Sequence, residues 1–269
     1  MLIISINSRW TKLFDSHSMR KLPFSTASHM VFEEPDSLPT LYAGEIHLWC
    51  ARLIPQPESL RFFRSLLDDE EEKKLNSFQF AIDRNRFILS HGYLRSLLGH
   101  YLSENPKKLQ IVRDEHGKPC LKTYSIEFNL SHSEDLALFG FSLDGKIGVD
   151  IEHVRGIPEA ADIIKRLFSS REEWIHFITP GVYKLEVFFE FWTRGEAVVK
   201  AAGYGFGERV GTISKRAVFY AGNTWRIESF NPAPGYLGAI AFEKSPGSIQ
   251  CKHLPEAWLI PGRNQQPGV

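Results

Sequence analysis

The residues best equipped for chemistry are two carboxylates two positions apart, Asp150 and Glu152, in the run Lys146–Val154. On a strand, side chains at i and i+2 share a face, about 7 Å apart. Carboxylates held that close repel unless a cation or a proton sits between them. Ile147, Val149 and Ile151 alternate with the acids. One face therefore goes to a core, while the other presents Gly148, Asp150 and Glu152, with open space expected at the glycine. Taken alone, the run also fits a strand with a solvated acidic side. Upstream lies Ser131-His132-Ser133, the end of a run that begins at Phe128. The whole stretch Phe128–Glu152 reads as two strand-like runs around the turn Leu143-Asp144-Gly145-Lys146.

A second pair stands farther on. Glu196 and Lys200 are i and i+4 in Glu186–Ala202, the most helix-like stretch of the second half, so they share a helix face. A surface ion pair would explain them equally well. Arg84 and Arg86 open another helical stretch, Asp83–Leu102, either as solvated charges or as a phosphate clamp. Lys118, in the turn Asp114–Pro119, lies shortly before the Ser-His run. Combined, these residues describe an anion site beside a metal. Oxygen-only ligation by carboxylates, without paired His or Cys, points to Mg²⁺ shared with substrate phosphates. Arg84 or Arg86, Lys118 and His132 would complete the anion site, which is equipment for attack on a phosphorus atom. A serine hydrolase built on Ser131 and His132 does not fit. Adjacent residues on a strand point to opposite faces.

The elements that position these groups follow from patterning. Glu45–Leu53 alternates as a strand, and the prolines at 55 and 57 end it. Leu66–Phe78 opens with acids and moves on to Lys73 and Lys74, the order a helix dipole favours. Asp83–Leu102 gathers Phe87, Leu94, Leu97, Leu98 and Tyr101, and Asn105-Pro106 closes it. Leu109–Arg113 reads as a short strand. Pro158–Leu167 and Ser170–Phe177 read as helices, and Gly203 as the stop of Glu186–Ala202. Arg216–Tyr220, Thr224–Phe230 and Tyr236–Phe242 read as strands.

Composition narrows the class. The 269 residues, 43% hydrophobic and 24% charged, suit one large or two modest domains. Lys+Arg and Asp+Glu balance at 32 each, so no global field recruits nucleic acid or membrane, and neither is expected as a partner. Cys50, Cys120 and Cys251 are odd in number and in no metal-ligand spacing, which suits reduced thiols in a cytoplasm. No run approaches the ~18 apolar residues of a membrane span, and no signal peptide is expected.

Four motifs then carry a resemblance. GVDIE at Gly148–Glu152 and FWTRGEAVVKAAG at Phe191–Gly203 resemble the two signature motifs of the Sfp-type 4′-phosphopantetheinyl transferases. FNLSHS at Phe128–Ser133 and GKP at Gly117–Pro119 match two further blocks, in family order, and the similarity covers roughly Glu45–Phe242. It implies an α+β protein of two similar α/β lobes in one chain, a pseudo-dimeric fold with the active site between the lobes. Residues 44–145 would form an N-terminal lobe holding the nucleotide and phosphates of coenzyme A. Residues 146–260 would form a C-terminal lobe with the metal carboxylates and the catalytic helix. Residues 1–43 would be a poorly ordered N-terminal extension and 261–269 a tail.

The resemblance also implies roles. Coenzyme A would be the donor, Mg²⁺ the metal, and a serine of an apo acyl or peptidyl carrier protein the acceptor, with the enzyme a monomer. Asp150, Glu152 and Glu196 correspond to the metal carboxylates. Lys200 corresponds to the lysine beside the pyrophosphate, with Asp150, Glu196 and Lys200 the catalytic set. Lys118, Pro119, Ser131 and His132 match contacts to coenzyme A, and Arg86 a basic position at its nucleotide end. Two positions depart from the family pattern. Gly195 stands where lysine is usual, with Arg194 expected to compensate, and His91 stands where arginine is common. A Mg²⁺-dependent phosphodiesterase and a non-catalytic coenzyme A- or carrier-binding module are the alternatives.

Overall fold

The computed structural model describes residues 30–156, 178–179, 182–183, 185–203 and 217–261. The helices expected at 158–167 and 170–177 lie outside the described residues, as does nearly all of the tail.

The first half opens with strand β1 (Glu45–Arg52) and three helices, α1 (Pro57–Ser65), α2 (Asp69–Asn76) and α3 (Ala81–Leu102). α1 is absent from the sequence reading, which took the prolines only as strand breakers. Pro57 instead occupies the first turn of the helix, where a missing N–H costs nothing. The helix buries Phe63 completely, a contribution of about 2 kcal/mol. α2 starts three residues inside the expected Leu66–Phe78, at Asp69, because Leu66 ends α1 and Asp68 is the cap. Asp68 accepts from the Glu71 amide at 2.9 Å while the Glu71 carboxylate accepts from the Asp68 amide at 3.1 Å, a reciprocal capping box. α3 is buried on most sides, Ile88, Leu89, Tyr93 and Arg95 included.

Strands β2 (Ile111–Arg113), β3 (Pro119–Leu121), β4 (Glu127–Ser133), β5 (Leu136–Ser142) and β6 (Ile147–His153) follow. The stretch Phe128–Glu152 thus holds three strands, not two. β4 and β5 form a tight hairpin, and the turn at 143–146 carries the chain out of that sheet into another. The second half contributes a short hairpin, β7 (Ile178–Thr179) with β8 (Val182–Tyr183). It continues with α4 (Leu185–Ala202), β9 (Ala217–Tyr220), β10 (Asn223–Phe230), β11 (Tyr236–Phe242) and β12 (Ser248–His253).

Among the described residues, two four-stranded sheets result, in the orders β12-β1-β5-β4 and β6-β11-β10-β9. They stack face to face. Ile46, Leu48, Leu136 and Leu138 of the first meet Ile147, Val149, Ile151 and Ile240 of the second in one buried cluster. The outer face of the first sheet is covered by α1 to α3, around Trp49, Phe139, Phe141, Phe63 and Leu97. The outer face of the second is covered by α4, around Phe188, Ala197, Trp225 and Ala239. The protein is therefore a four-layer helix–sheet–sheet–helix arrangement of two α/β lobes, as the α+β expectation has it.

Two segments cross the expected boundaries. β12 falls within 146–260, yet it pairs in parallel with β1, Glu45 opposite Ser248 and Cys50 opposite His253. The C-terminal chain thus straps the first lobe, and Glu256 accepts hydrogen bonds from Ser59 at 2.5 Å and Tyr93 at 2.6 Å. The described part of the expected N-terminal extension is packed. Phe32 lies against Phe230, the Glu33 backbone donates to the Cys251 carbonyl and accepts from the His253 amide, and Leu41 is buried in the helical core.

Candidate active site

The site begins with a close approach. The sequence reading expected open space at Gly148; the structure fills it with helix backbone. A Cβ on Gly148 would lie 2.1 Å from the carbonyl oxygen of Ala197 and 2.3 Å from the amide nitrogen of Ala201. Only glycine lets α4 rest on β6 at that distance. Gly203, at φ +79°, then ends α4 in the left-handed conformation that glycine accepts without strain.

As the alternation requires, Ile147, Val149 and Ile151 face the sheet–sheet core, and Asp150 and Glu152 face the other way. α4 brings Lys200 onto this face. Its ammonium donates to Asp150 Oδ1 at 2.6 Å and to Ser131 Oγ at 3.0 Å, and Ser131 Oγ donates to the same Asp150 oxygen at 2.8 Å. Glu152 accepts from Ser133 Oγ at 2.7 Å, with Arg155 at 3.7 Å from the same carboxylate oxygen. Three elements from two lobes therefore converge: β4, β6 and α4.

The electrostatics are those of crowded, buried acids. Burial pushes the Asp150 carboxyl up against the opposing pull of Lys200 and Ser131. Burial and then the Asp150 charge push Glu152 up to about 7. The same two causes, with Glu152 added, push Glu196 up to about 8. Burial works against the Lys200 charge, but Asp150 and Glu196 carry it net above the ordinary lysine value.

Whether a divalent cation suits this place can be asked of the donors. Among the described residues, no three His, Cys, Asp or Glu side chains stand grouped as a finished metal shell. The donor chemistry nonetheless fits Mg²⁺. Asp150 Oδ2 is buried without a hydrogen-bond partner, and the Asp150 charge raises the pKa of both Glu152 and Glu196. A hard cation among them would satisfy the orphaned oxygen and remove the repulsion.

Other expected site residues lie elsewhere. Lys118 is buried, and its ammonium donates to Glu127 at 3.0 Å, to the Ile147 carbonyl at 3.1 Å and to the Ala201 carbonyl at 3.4 Å. All three of its protons are spent where the lobes meet. Pro119 starts β3, half-buried. Arg86 reaches Glu134 at 2.7 Å, and Arg84 donates to the carbonyls of Phe78 and Gln79 at 3.0 and 3.3 Å. His132, on the opposite face of β4 from Ser131, is exposed on the side of α3. Hence β4 divides the expected pair, giving Ser131 to the carboxylates and His132 to the surface.

The family departures also find places. Arg194 does not replace a cation beside Glu196. It is buried and donates to Ser229 Oγ on β10 at 3.0 Å, about 200° round the helix from Glu196. His91 pairs with Glu71 at 2.8 Å and stacks on Phe87 with ring centroids 3.9 Å apart. Sequence reasoning missed Asn129 and Ser133, which face β6 together with Ser131. The polar residues at 129, 131 and 133 share one strand face, and that alternation was the available signal.

Comparison with known proteins agrees with this architecture. Residues 52–140 match the family model described as 4′-phosphopantetheinyl transferase, N-terminal, and residues 146–234 match that of the 4′-phosphopantetheinyl transferase superfamily. The 4′-phosphopantetheinyl transferase HetI of Nostoc sp. is 34% identical over 223 residues, 79% of this chain and 93% of that protein. A putative 4′-phosphopantetheinyl transferase of Synechocystis sp. is 33% identical over 146 residues, covering 53% of this chain and 59% of its own length. The human L-aminoadipate-semialdehyde dehydrogenase-phosphopantetheinyl transferase is 30% identical over 171 residues, 59% of this chain and 55% of its own length.

Proposed function

Because the chain belongs to the 4′-phosphopantetheinyl transferase superfamily, we propose that it transfers the phosphopantetheine arm of coenzyme A to a serine of an apo acyl or peptidyl carrier protein. The observation that carries this reading is the meeting of Lys200 with Asp150 and Ser131, each from a different element, next to Glu152. Asp150, Glu152 and Glu196 would hold Mg²⁺, which when bound neutralises phosphate oxygens.

The chain's own groups supply the rest. Glu196 takes the proton of the carrier serine. Burial and the Asp150 charge raise the proton affinity of its carboxyl in the metal-free protein. The serine oxygen forms a bond to the β-phosphorus of coenzyme A, and the bond from that phosphorus to the bridging oxygen breaks. The leaving group is 3′,5′-ADP, and Lys200 neutralises charge as it departs. Ser131 keeps the Lys200 ammonium and the Asp150 carboxylate in one orientation.

Arg86, Lys118, Pro119, Ser131, His132 and Lys200 are the expected contacts to coenzyme A. Arg86 and His132 stay in this role, since both lie at a surface on the α3 side of β4. Lys118 is assigned instead to holding the lobes together. No helix among the described residues is long and apolar enough to cross a membrane. The deciding experiment is intact mass of apo carrier proteins after incubation with coenzyme A and Mg²⁺. Addition of one phosphopantetheine group to a serine supports transfer. Hydrolysis of coenzyme A without a carrier would instead favour a phosphodiesterase.

A further inference from the structure

Among the described residues β4 and β6 are both edge strands, each belonging to a different sheet, and they run side by side where the lobes meet. No backbone ladder joins them. An edge strand leaves alternate N–H and C=O groups unpaired, and burying such groups without partners is costly. On β6 the outward groups are met by side chains of the first lobe. Lys118 donates to the Ile147 carbonyl at 3.1 Å, Asn129 Oδ1 accepts from the Val149 amide at 2.8 Å, and Ser133 Oγ accepts from the His153 amide at 3.1 Å. The residues served, 147, 149 and 153, share one parity, as a single strand edge requires.

Ser133 does one thing more. While accepting from the His153 amide, its hydroxyl donates to Glu152 Oε2 at 2.7 Å. It is buried, and a hydroxyl has one proton to give, so the accepted bond leaves that proton for the carboxylate. The Glu152 side chain is thereby tied, through Ser133, to the backbone of its own strand and to the opposite lobe. Ser131 also donates to its carboxylate, Asp150, but it accepts from the Lys200 ammonium and not from a β6 amide.

We propose that Ser133 is a positioning residue for the metal-binding carboxylate: it fixes the Glu152 oxygen relative to β6 and sets its readiness for a divalent cation. This rests on the assignment of Glu152 as a metal ligand. Groups that orient a ligating carboxylate typically account for about 10–100-fold in metal affinity.

The test uses the full chain and its Ser133→Ala and Ser133→Thr variants. Mn²⁺ alone, without coenzyme A or carrier, is titrated and bound metal is followed by electron paramagnetic resonance. The melting temperature is recorded in chelator beside each titration. Ser133→Ala is expected to weaken Mn²⁺ binding about 10-fold or more, and Ser133→Thr, which keeps the hydroxyl, to restore it. In turnover, the metal concentration at half-maximal rate should rise more than the rate at saturating metal falls. Unchanged Mn²⁺ affinity in Ser133→Ala would overturn the proposal. So would equal weakening in Ser133→Thr. Failure of the wild-type chain to modify any carrier while the Mn²⁺ result holds would count against the transferase reading alone.

Discussion

Gly148 and Ala197 are in backbone contact: a side chain on the glycine would stand 2.1 Å from the alanine carbonyl oxygen. This contact sets the height of α4 above β6, and with it the 2.6 Å pairing of Lys200 with Asp150. Gly148→Ala should therefore push the helix outward. A loss of about 1–3 kcal/mol is expected from overpacking, with transfer impaired beyond what stability explains. Urea denaturation and kcat of the same preparation check this. Wild-type kinetics in Gly148→Ala would show that the close approach is dispensable.

Removing carboxylates and their cation should separate chemistry from folding. Asp150→Ala and Glu196→Ala are each expected to abolish transfer while the far-UV circular dichroism stays native. Lys200→Ala should lower kcat about 10²–10³-fold, the usual cost of losing one preorganised charge at a transition state. Full activity in any of the three would refute the assigned roles.

Stability without metal should fall as the medium becomes alkaline. Glu152 and Glu196 rise from the ordinary 4.5 to about 7 and about 8 in the folded protein. The native state thus binds protons more tightly than the unfolded one across that interval, and stability drops as pH rises from about 4.5 to about 8. A cation among the carboxylates offsets this. Mg²⁺ is expected to raise the melting temperature more at pH 8 than at pH 5.5. Equal increments at both values would mean that these acids do not bind it.

Glu71 predicts the opposite sign. Burial pushes its carboxyl up, but the His91 hydrogen bond and charge, with Arg95, hold it net below the ordinary value. Its contribution is present above about 4.5 and disappears as pH falls through the lower folded value. Arg95 is fully buried and donates to Glu71 at 2.6 Å but keeps Asp68 as a second partner, so Glu71→Gln should cost about 2 kcal/mol at pH 7. The deficit should shrink on acidification. Chemical denaturation at pH 7 and pH 4 measures both.

Arg194→Ala tests the family departure at Gly195. The guanidinium points to Ser229 and away from Glu196, so the variant should melt lower yet keep its coenzyme A KM. A raised KM would return Arg194 to the substrate side.

Much of the site was legible in the linear chain because it depends on local geometry. Strand alternation put Asp150 and Glu152 on one face and Ile147, Val149 and Ile151 on the other. Helical spacing put Glu196 and Lys200 one turn apart, and the acid-to-base charge order marked α2. These patterns follow from the period of a strand or helix, which neighbouring residues alone define. The tertiary structure decided what those faces meet. Lys118 is turned inward because two carbonyls of the other lobe and Glu127 wait there, and Arg86 turns to Glu134, 48 residues away. β12 returns about 200 residues along the chain to pair with β1, and no local period encodes that partner. The bonds from β4 side chains to the edge of β6 exist only because two sheets end side by side. A side chain's direction follows from its own element, but its partner follows from packing, and packing is a property of the whole chain.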